Sequence, residues 1–275
     1  MRYSVNHRSF WLGTSLALCV AAAHADAPAQ PAAVPEFRPG LLTGYLSPKS
    51  LPDSRALLPA PPEQNSADMA RDEAISHATL ALRDTPRWAL ATADNDLRFP
   101  RAAETFSCAL NAPVSSEDTP YLYQLLRRSL TDAGLATYAA KNFYVRTRPL
   151  VVNQAPICAP DAEPLKKDGS YPSGHSAVGW AWALILSEMA PERTDALLAR
   201  GIAYGQSRVI CNVHWQSDVD AGRLIGAAAV ARLHADPLFL ADLDIAKREL
   251  AAVRAKGLKP LRDCQTETQT LATHP

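Results

Sequence analysis

The segment from Ser173 to Met189 limits the possible folds more than any other part of the chain. Val178, Trp180, Trp182, Leu184 and Ile185 crowd into it, a density that predicts a helix buried at the centre of a domain. The surrounding signals are also helical. Ser66 can cap a helix running through Ala70, Ile75 and Leu82. Thr85-Pro86 and Thr119-Pro120 each put proline at a first helical position, the second leading into Tyr121, Leu125 and Leu126. Ala133 to Tyr144 predicts a further helix carrying Lys141. Pro191 opens one that ends near Arg208, Ser217 to His234 reads as an Ala-rich core helix, and Pro237 to Lys256 closes the chain. Residues 150–171 hold several Pro, Asp and Gly and read as a loop. Strand alternation is nearly absent and no repeat is found. The expectation is an all-α fold, a single helical-bundle domain over residues 64–275.

The N-terminal part reads differently. Arg2, His7 and Arg8 precede the apolar run Phe10 to Ala23, which is short for a membrane span, and Ala23-His24-Ala25 offers small residues at a cleavage site. Residues 1–25 are therefore expected to be a cleaved signal peptide, with an uncleaved anchor as the alternative. Export to the periplasm follows from the first reading. Residues 26–63 are rich in Pro and Ala and read as an extended arm on the domain surface.

Formal net charge is +0, from 28 basic and 28 acidic residues, so the chain carries no overall footprint for nucleic acid or an anionic membrane. Any attraction for an anion must come from local clustering. Cys19 leaves with the leader. Cys108, Cys158, Cys211 and Cys264 remain, an even number compatible with two disulfides in any of three pairings. Their wide spacing does not suit a cysteine zinc site.

Three short segments carry chemistry: Lys141 followed after six residues by Arg148-Pro149; Gly169-Ser-Tyr-Pro-Ser-Gly-His-Ser176; and Ser207-Arg208 followed by His214 and Asp218. On one continuous helix, Lys141 and Arg148 would lie two turns apart on the same side. With Arg208 they supply two guanidinium forks and an ammonium, a set suited to a tetrahedral oxyanion. Ser173 and Gly174 open the apolar helix, whose first N–H groups and positive dipole end form an anion site. The Ser173 hydroxyl can cap that helix or bind a phosphate oxygen, and Gly174 allows close backbone approach. Asp218, four residues after His214, can hold one imidazole nitrogen and leave the other free to attack. His175 is then available as general acid. Each fragment alone is ordinary: a cap, a surface cation, a core histidine. Their joint occurrence in this order is not.

The combination K-x6-RP, PSGH and SR-x5-H-x3-D resembles the signature of the phosphatidic-acid phosphatase type 2 and haloperoxidase superfamily. GSYPSGHS, with the leader, the length and the Pro-rich arm, resembles the bacterial class A non-specific acid phosphatases. Ser176 stands where many relatives carry Thr, which keeps the hydroxyl. The resemblance implies an all-helical fold, nucleophilic His214 oriented by Asp218, His175 as general acid and base, and phosphate contacts from Lys141, Arg148, Ser173, Gly174, His175 and Arg208. It implies no cofactor and no metal. The expected substrates are small phosphomonoesters such as nucleotides and sugar or aryl phosphates, cleaved with broad specificity through a phosphohistidine, with phosphotransfer to alcohols as a side activity. Neither nucleic acid nor membrane is an expected partner; a homo-oligomer is.

Other readings fit less well. A membrane lipid phosphatase needs several spans, and no later apolar run is free of charge for long enough. A vanadium haloperoxidase is a longer chain. A non-catalytic anion-binding protein has no need of His175, His214 and Asp218 together. A zinc or calcium hydrolase would show HExxH or clustered acidic ligands, which are absent.

Overall fold

The computed structural model describes residues 30–273 together with Met1. Apart from Met1, the expected leader lies outside the described residues. A β-hairpin pairs β1 (Glu36–Arg38) with β2 (Leu41–Leu42). It turns through Pro39-Gly40, with Gly40 at φ +81°, a left-handed value that glycine adopts without steric cost. Helices follow: α1 (Ser54–Leu57), α2 (Ala67–Thr79), α3 (Pro86–Ala93), α4 (Ser107–Leu110), α5 (Pro120–Leu135), α6 (Tyr138–Tyr144) and α7 (Pro149–Asn153). The rest are α8 (Glu163–Lys167), α9 (Gly174–Met189), α10 (Thr194–Ile210), α11 (Gln216–Leu233), α12 (Pro237–Ala255) and α13 (Cys264–Thr273). The fold is all-α, and the hairpin is the only sheet among the described residues.

The apolar helix takes the central place its composition requires. α9 packs against α5, α10 and α11 together. Trp182 is fully buried, its indole N–H donating to the Leu126 carbonyl at 3.1 Å, with the rings of Phe99 and Phe106 edge-on to it. Glycine brings α11 onto the start of α9. A Cβ on Gly222 would stand 2.5 Å from the Ser173 carbonyl, and one on Gly226 would strike the carbonyl of Ala177. This contact joins two of the three motifs: the Ser173 N–H donates to the Asp218 carbonyl at 2.9 Å.

Several local expectations need correction. The helix expected over Ala133–Tyr144 is two pieces, because α5 ends at Leu135 and α6 begins at Tyr138. Lys141 and Arg148 do not share a helix. Val145 turns left-handed at φ +44° and ends α6, and Arg148 is the N-cap of α7. Residues 150–171 are not all loop, since α7 and α8 lie within or across them, each with proline in its first turn. Pro191 starts a 3-10 turn (Pro191–Arg193) that leads into α10. α12 does not close the chain: α13 follows and is fastened to α4 by the Cys108–Cys264 disulfide.

The described part of the N-terminal segment is tied to the bundle by buried polar contacts. The N–H groups of Tyr45 and Leu46 donate to the Asp132 carboxylate at 2.9 and 3.0 Å, and Arg128 donates to the carbonyls of Thr43 and Gly44. Phe37, Arg38 and Leu41 thereby become one wall of the cavity at the motifs. Among the described residues, no single helix is long and apolar enough to cross a membrane.

Candidate active site

Lys141, Arg148, Gly174, His175, Arg208 and His214 line one cavity of about 470 Å³. Ser173 and Asp218, both fully buried, stand one layer behind it. All eight residues expected from sequence are thus gathered, six at the cavity wall and two supporting them.

Lys141 and Arg148 converge by wrapping one loop, not by sharing a helix face. Lys141 Nζ donates to the Gly169 carbonyl at 2.8 Å, and Arg148 Nη2 donates to the same oxygen at 3.1 Å. Gly169 is confined by this arrangement, since a Cβ there would approach the Lys141 carbonyl to 2.8 Å. Arg148 also pairs with Asp168 at 2.9 Å and donates to the Val213 carbonyl at 2.9 Å, which holds the loop that carries His214. Burial lowers the Lys141 ammonium to about 8, and the neighbouring Arg148 pushes the same way.

Ser173 acts as the helix cap. Its hydroxyl accepts from the Ser176 N–H at 3.3 Å and contacts the Ser176 hydroxyl at 2.9 Å. This leaves the N–H groups of Gly174 and His175 in the first turn of α9 without intrahelical acceptors. A Cβ on Gly174 would meet nothing nearer than Thr137 Oγ1 at 3.7 Å, so scaffold packing does not dictate glycine there.

His214 sits on the turn between α10 and α11. Nδ1 is 3.3 Å from Asp218 Oδ2, and Nε2 is 3.0 Å from Arg148 Nη1. A guanidinium can only donate, so Nε2 carries the lone pair and Nδ1 the hydrogen. Burial holds the imidazole well below its ordinary pKa, and Arg148 and Lys141 add to the effect, which keeps it neutral. Asp218 lies in the first turn of α11 and reaches back to accept from the Trp215 N–H at 2.8 Å, so the carboxylate oxygen that orients the histidine also caps the helix. Behind the turn, the Cys158–Cys211 disulfide and a reciprocal pair of side-chain hydrogen bonds between Asn153 and Asn212 (2.8 and 2.9 Å) anchor it.

His175 Nε2 lies 3.0 Å from the Asn95 carbonyl, which must accept, so Nε2 bears hydrogen. Burial, and then Arg208, hold this ring well below its ordinary pKa. The Asn95 side chain accepts from Arg208 Nη2 at 2.9 Å, so one residue positions both a cation and a histidine. Arg208 is buried, and its Nε has no hydrogen-bond partner among the described residues. Asn95 was not singled out from the sequence, nor was Arg146. Two residues ahead of Arg148, Arg146 pairs with Asp218 at 2.6 Å and Asp72 at 2.8 Å. No group of three or more His, Cys, Asp or Glu able to hold a metal ion occurs among the described residues.

The fold and site define a helical protein built around a buried pocket of three cations and two histidines. Comparison with known proteins identifies the family. Residues 123–239 match the PAP2 superfamily. The chain is 46% identical over 212 residues to the non-specific acid phosphatase of Providencia stuartii, covering 76% of this chain and 86% of that protein. It is 43% identical over 208 residues to that of Salmonella typhimurium (75% and 83% covered) and 38% identical over 209 residues to an acid phosphatase of Zymomonas mobilis (76% and 79%). The chain belongs to the bacterial class A non-specific acid phosphatases of the PAP2 superfamily.

Proposed function

We propose that this acid phosphatase hydrolyses small phosphate monoesters in two steps through a phosphohistidine on His214, without a metal, in the periplasm. The observation that carries the mechanism is the convergence of Lys141, Arg148 and Arg208 with His175 and His214 on one cavity. A phosphoryl group needs positioning and charge neutralisation above all, and three buried cations with two free helix N–H groups offer both.

In the first step the Nε2 lone pair of His214 attacks phosphorus and the bond to the ester oxygen breaks. The departing oxygen takes a proton from His175, and Asp218 stabilises the charge that develops on the His214 ring. A phosphoryl dianion beside His175 raises its proton affinity, against the effect of burial and Arg208. In the second step His175 removes a proton from water, the water oxygen bonds to phosphorus, and the P–N bond breaks to return His214 and phosphate. An alcohol in the position of water would give phosphotransfer.

The outer wall of the cavity includes Phe37, Leu41, Leu97, Leu135, Tyr138 and Pro164. Such a surface accepts aliphatic and aromatic leaving groups alike and has few polar groups with which to reject one, which supports broad specificity. The test is p-nitrophenyl phosphate hydrolysis from pH 4 to 8 in excess EDTA, beside His214→Ala. Chelator-resistant turnover with an acidic optimum, lost in the variant, supports the proposal; turnover abolished by EDTA contradicts it.

A further inference from the structure

We infer that Arg146 and Asp72 are positioning residues for the nucleophile, acting through Asp218. This inference rests on the phosphohistidine reading above. Neither side chain lines the cavity that holds His214. Both are nevertheless buried, at 8% and 3% side-chain exposure, and both point at the back of the His214–Asp218 pair.

The contacts form a continuous chain. Arg146 Nη1 donates to Asp218 Oδ1 at 2.6 Å and to Ser217 Oγ at 2.7 Å. Its Nη2 donates to Asp72 Oδ2 at 2.8 Å. Asp72 Oδ1 accepts from the Ser217 N–H at 2.9 Å, and Asp72 Oδ2 accepts from the Ser217 hydroxyl. The Arg146 guanidinium lies 5.6 Å from the Trp215 ring, whose indole N–H donates to the Thr147 carbonyl at 2.8 Å. Asp72 comes from α2, Arg146 from the turn after α6, and Asp218 and Ser217 from α11, so three distant parts of the chain meet behind the histidine.

Charge and geometry explain why this matters. Asp218 Oδ2 is occupied by His214 Nδ1 and the Trp215 N–H, so Oδ1 is its free corner and Arg146 fills it. Burial holds the Asp218 carboxyl above its ordinary pKa, and of the groups that oppose this Arg146 acts most strongly. Arg146 alone would also cancel the negative charge that His214 needs when it turns cationic. Asp72 takes half of the guanidinium, so two carboxylates share one cation and net negative charge remains behind the nucleophile. The other charged or titratable groups facing the pair are Lys141, Arg148 and Arg208 on the cavity side, His175 across it, Asp168 beside Arg148, and Tyr171. None of them replaces Arg146 at Oδ1.

The test uses the full chain with Arg146→Met, Arg146→Lys and Asp72→Asn, reading kcat, the inhibition constant of inorganic phosphate, and the pH profile of kcat/KM. In Arg146→Met, kcat should fall about ten- to a hundredfold while phosphate inhibition holds within about threefold, because the cavity wall is untouched. Its acidic limb should move up by about one pH unit as Asp218 becomes easier to protonate. Arg146→Lys should recover part of kcat and return the limb towards wild type. Asp72→Asn should lower kcat several-fold without that upward shift, since Arg146 then serves Asp218 alone. Folded variants with wild-type kcat and limb would overturn the inference. So would phosphate binding lost in parallel with kcat, which would assign the cluster a purely structural role. Should Arg146→Met fail to fold, Asp72→Asn and Arg146→Lys carry the same test. Absence of a phosphohistidine in the wild type would sink the underlying reading instead, an outcome distinct from inert variants of an enzyme that forms one.

Discussion

Gly174→Ala separates scaffold from site, because it should move stability and activity in opposite directions. Gly174 is the first residue of α9, and its backbone is not in the left-handed region. An alanine Cβ would make only an ordinary contact with Thr137 Oγ1 at 3.7 Å. Without strain or collision, the substitution should stabilise the fold by about 0.4–1 kcal/mol by restricting the unfolded chain. Gly174 nonetheless lines the cavity, and its N–H belongs to the first helical turn, where the proposed mechanism holds the phosphoryl oxygen by direct hydrogen bonds. A methyl group there pushes the phosphoryl oxygen off that donor. A hydrogen bond to a charged group is worth about 1.5–3 kcal/mol, so kcat/KM should fall by about 10- to 150-fold. The assays are thermal denaturation and p-nitrophenyl phosphate kinetics on the same preparation. A raised melting temperature with kcat/KM within twofold of wild type would refute the placement of phosphate against this turn.

Two further predictions concern stability. His175 and His214 are held neutral well below their ordinary pKa near 6.5, so below that pH the unfolded chain binds protons that the folded chain does not. Stability should therefore fall as pH drops from about 6.5 towards the folded pKa values, and His175→Gln should flatten the slope by up to about 1.4 kcal/mol per pH unit, measured by denaturant unfolding at several pH values. The Cys108–Cys264 disulfide joins residues separated by 156 positions and holds α13, whose Glu267 pairs with Arg200 at 3.4 Å. Replacing both cysteines by serine should cost about 2–5 kcal/mol, read from the melting temperature, with little change in kcat; an unchanged melting temperature contradicts it.

The convergence of the candidate residues was legible because they are concentrated in short segments with fixed internal spacing. His214 and Asp218 lie close in sequence and in space, and Ser173 to His175 open a helix whose apolar content announces its burial. What escaped depends on long-range meeting. Asp72 is 74 positions from Arg146 and reads in sequence as one more acid on a surface helix. Arg146 occupies one of the six positions between Lys141 and Arg148, where nothing local separates a buried ion pair from a solvated one. Asn95 meets His175 through its backbone carbonyl, which has no sequence signature, and its side chain meets Arg208 only across 113 positions. Lys141 and Arg148 do converge, but not two turns apart on one helix, since Val145 breaks the helix and Gly169 draws both cations together. Other misses had readable signals: Pro149 and Pro164 mark the starts of α7 and α8, and Pro39-Gly40 marks the hairpin turn.

The proposed covalent step on His214 can be trapped. The wild-type protein would be mixed with a 32P-labelled phosphomonoester, quenched within milliseconds in alkali, where a phosphoramidate survives, and mapped by proteolysis and mass spectrometry. One labelled peptide is expected, carrying phosphate on His214 and losing it to water, during a chase with unlabelled substrate, at a rate no slower than kcat, with no label in His214→Ala. Full turnover with no trapped label under conditions that preserve authentic phosphohistidine, or label on another residue, would contradict it.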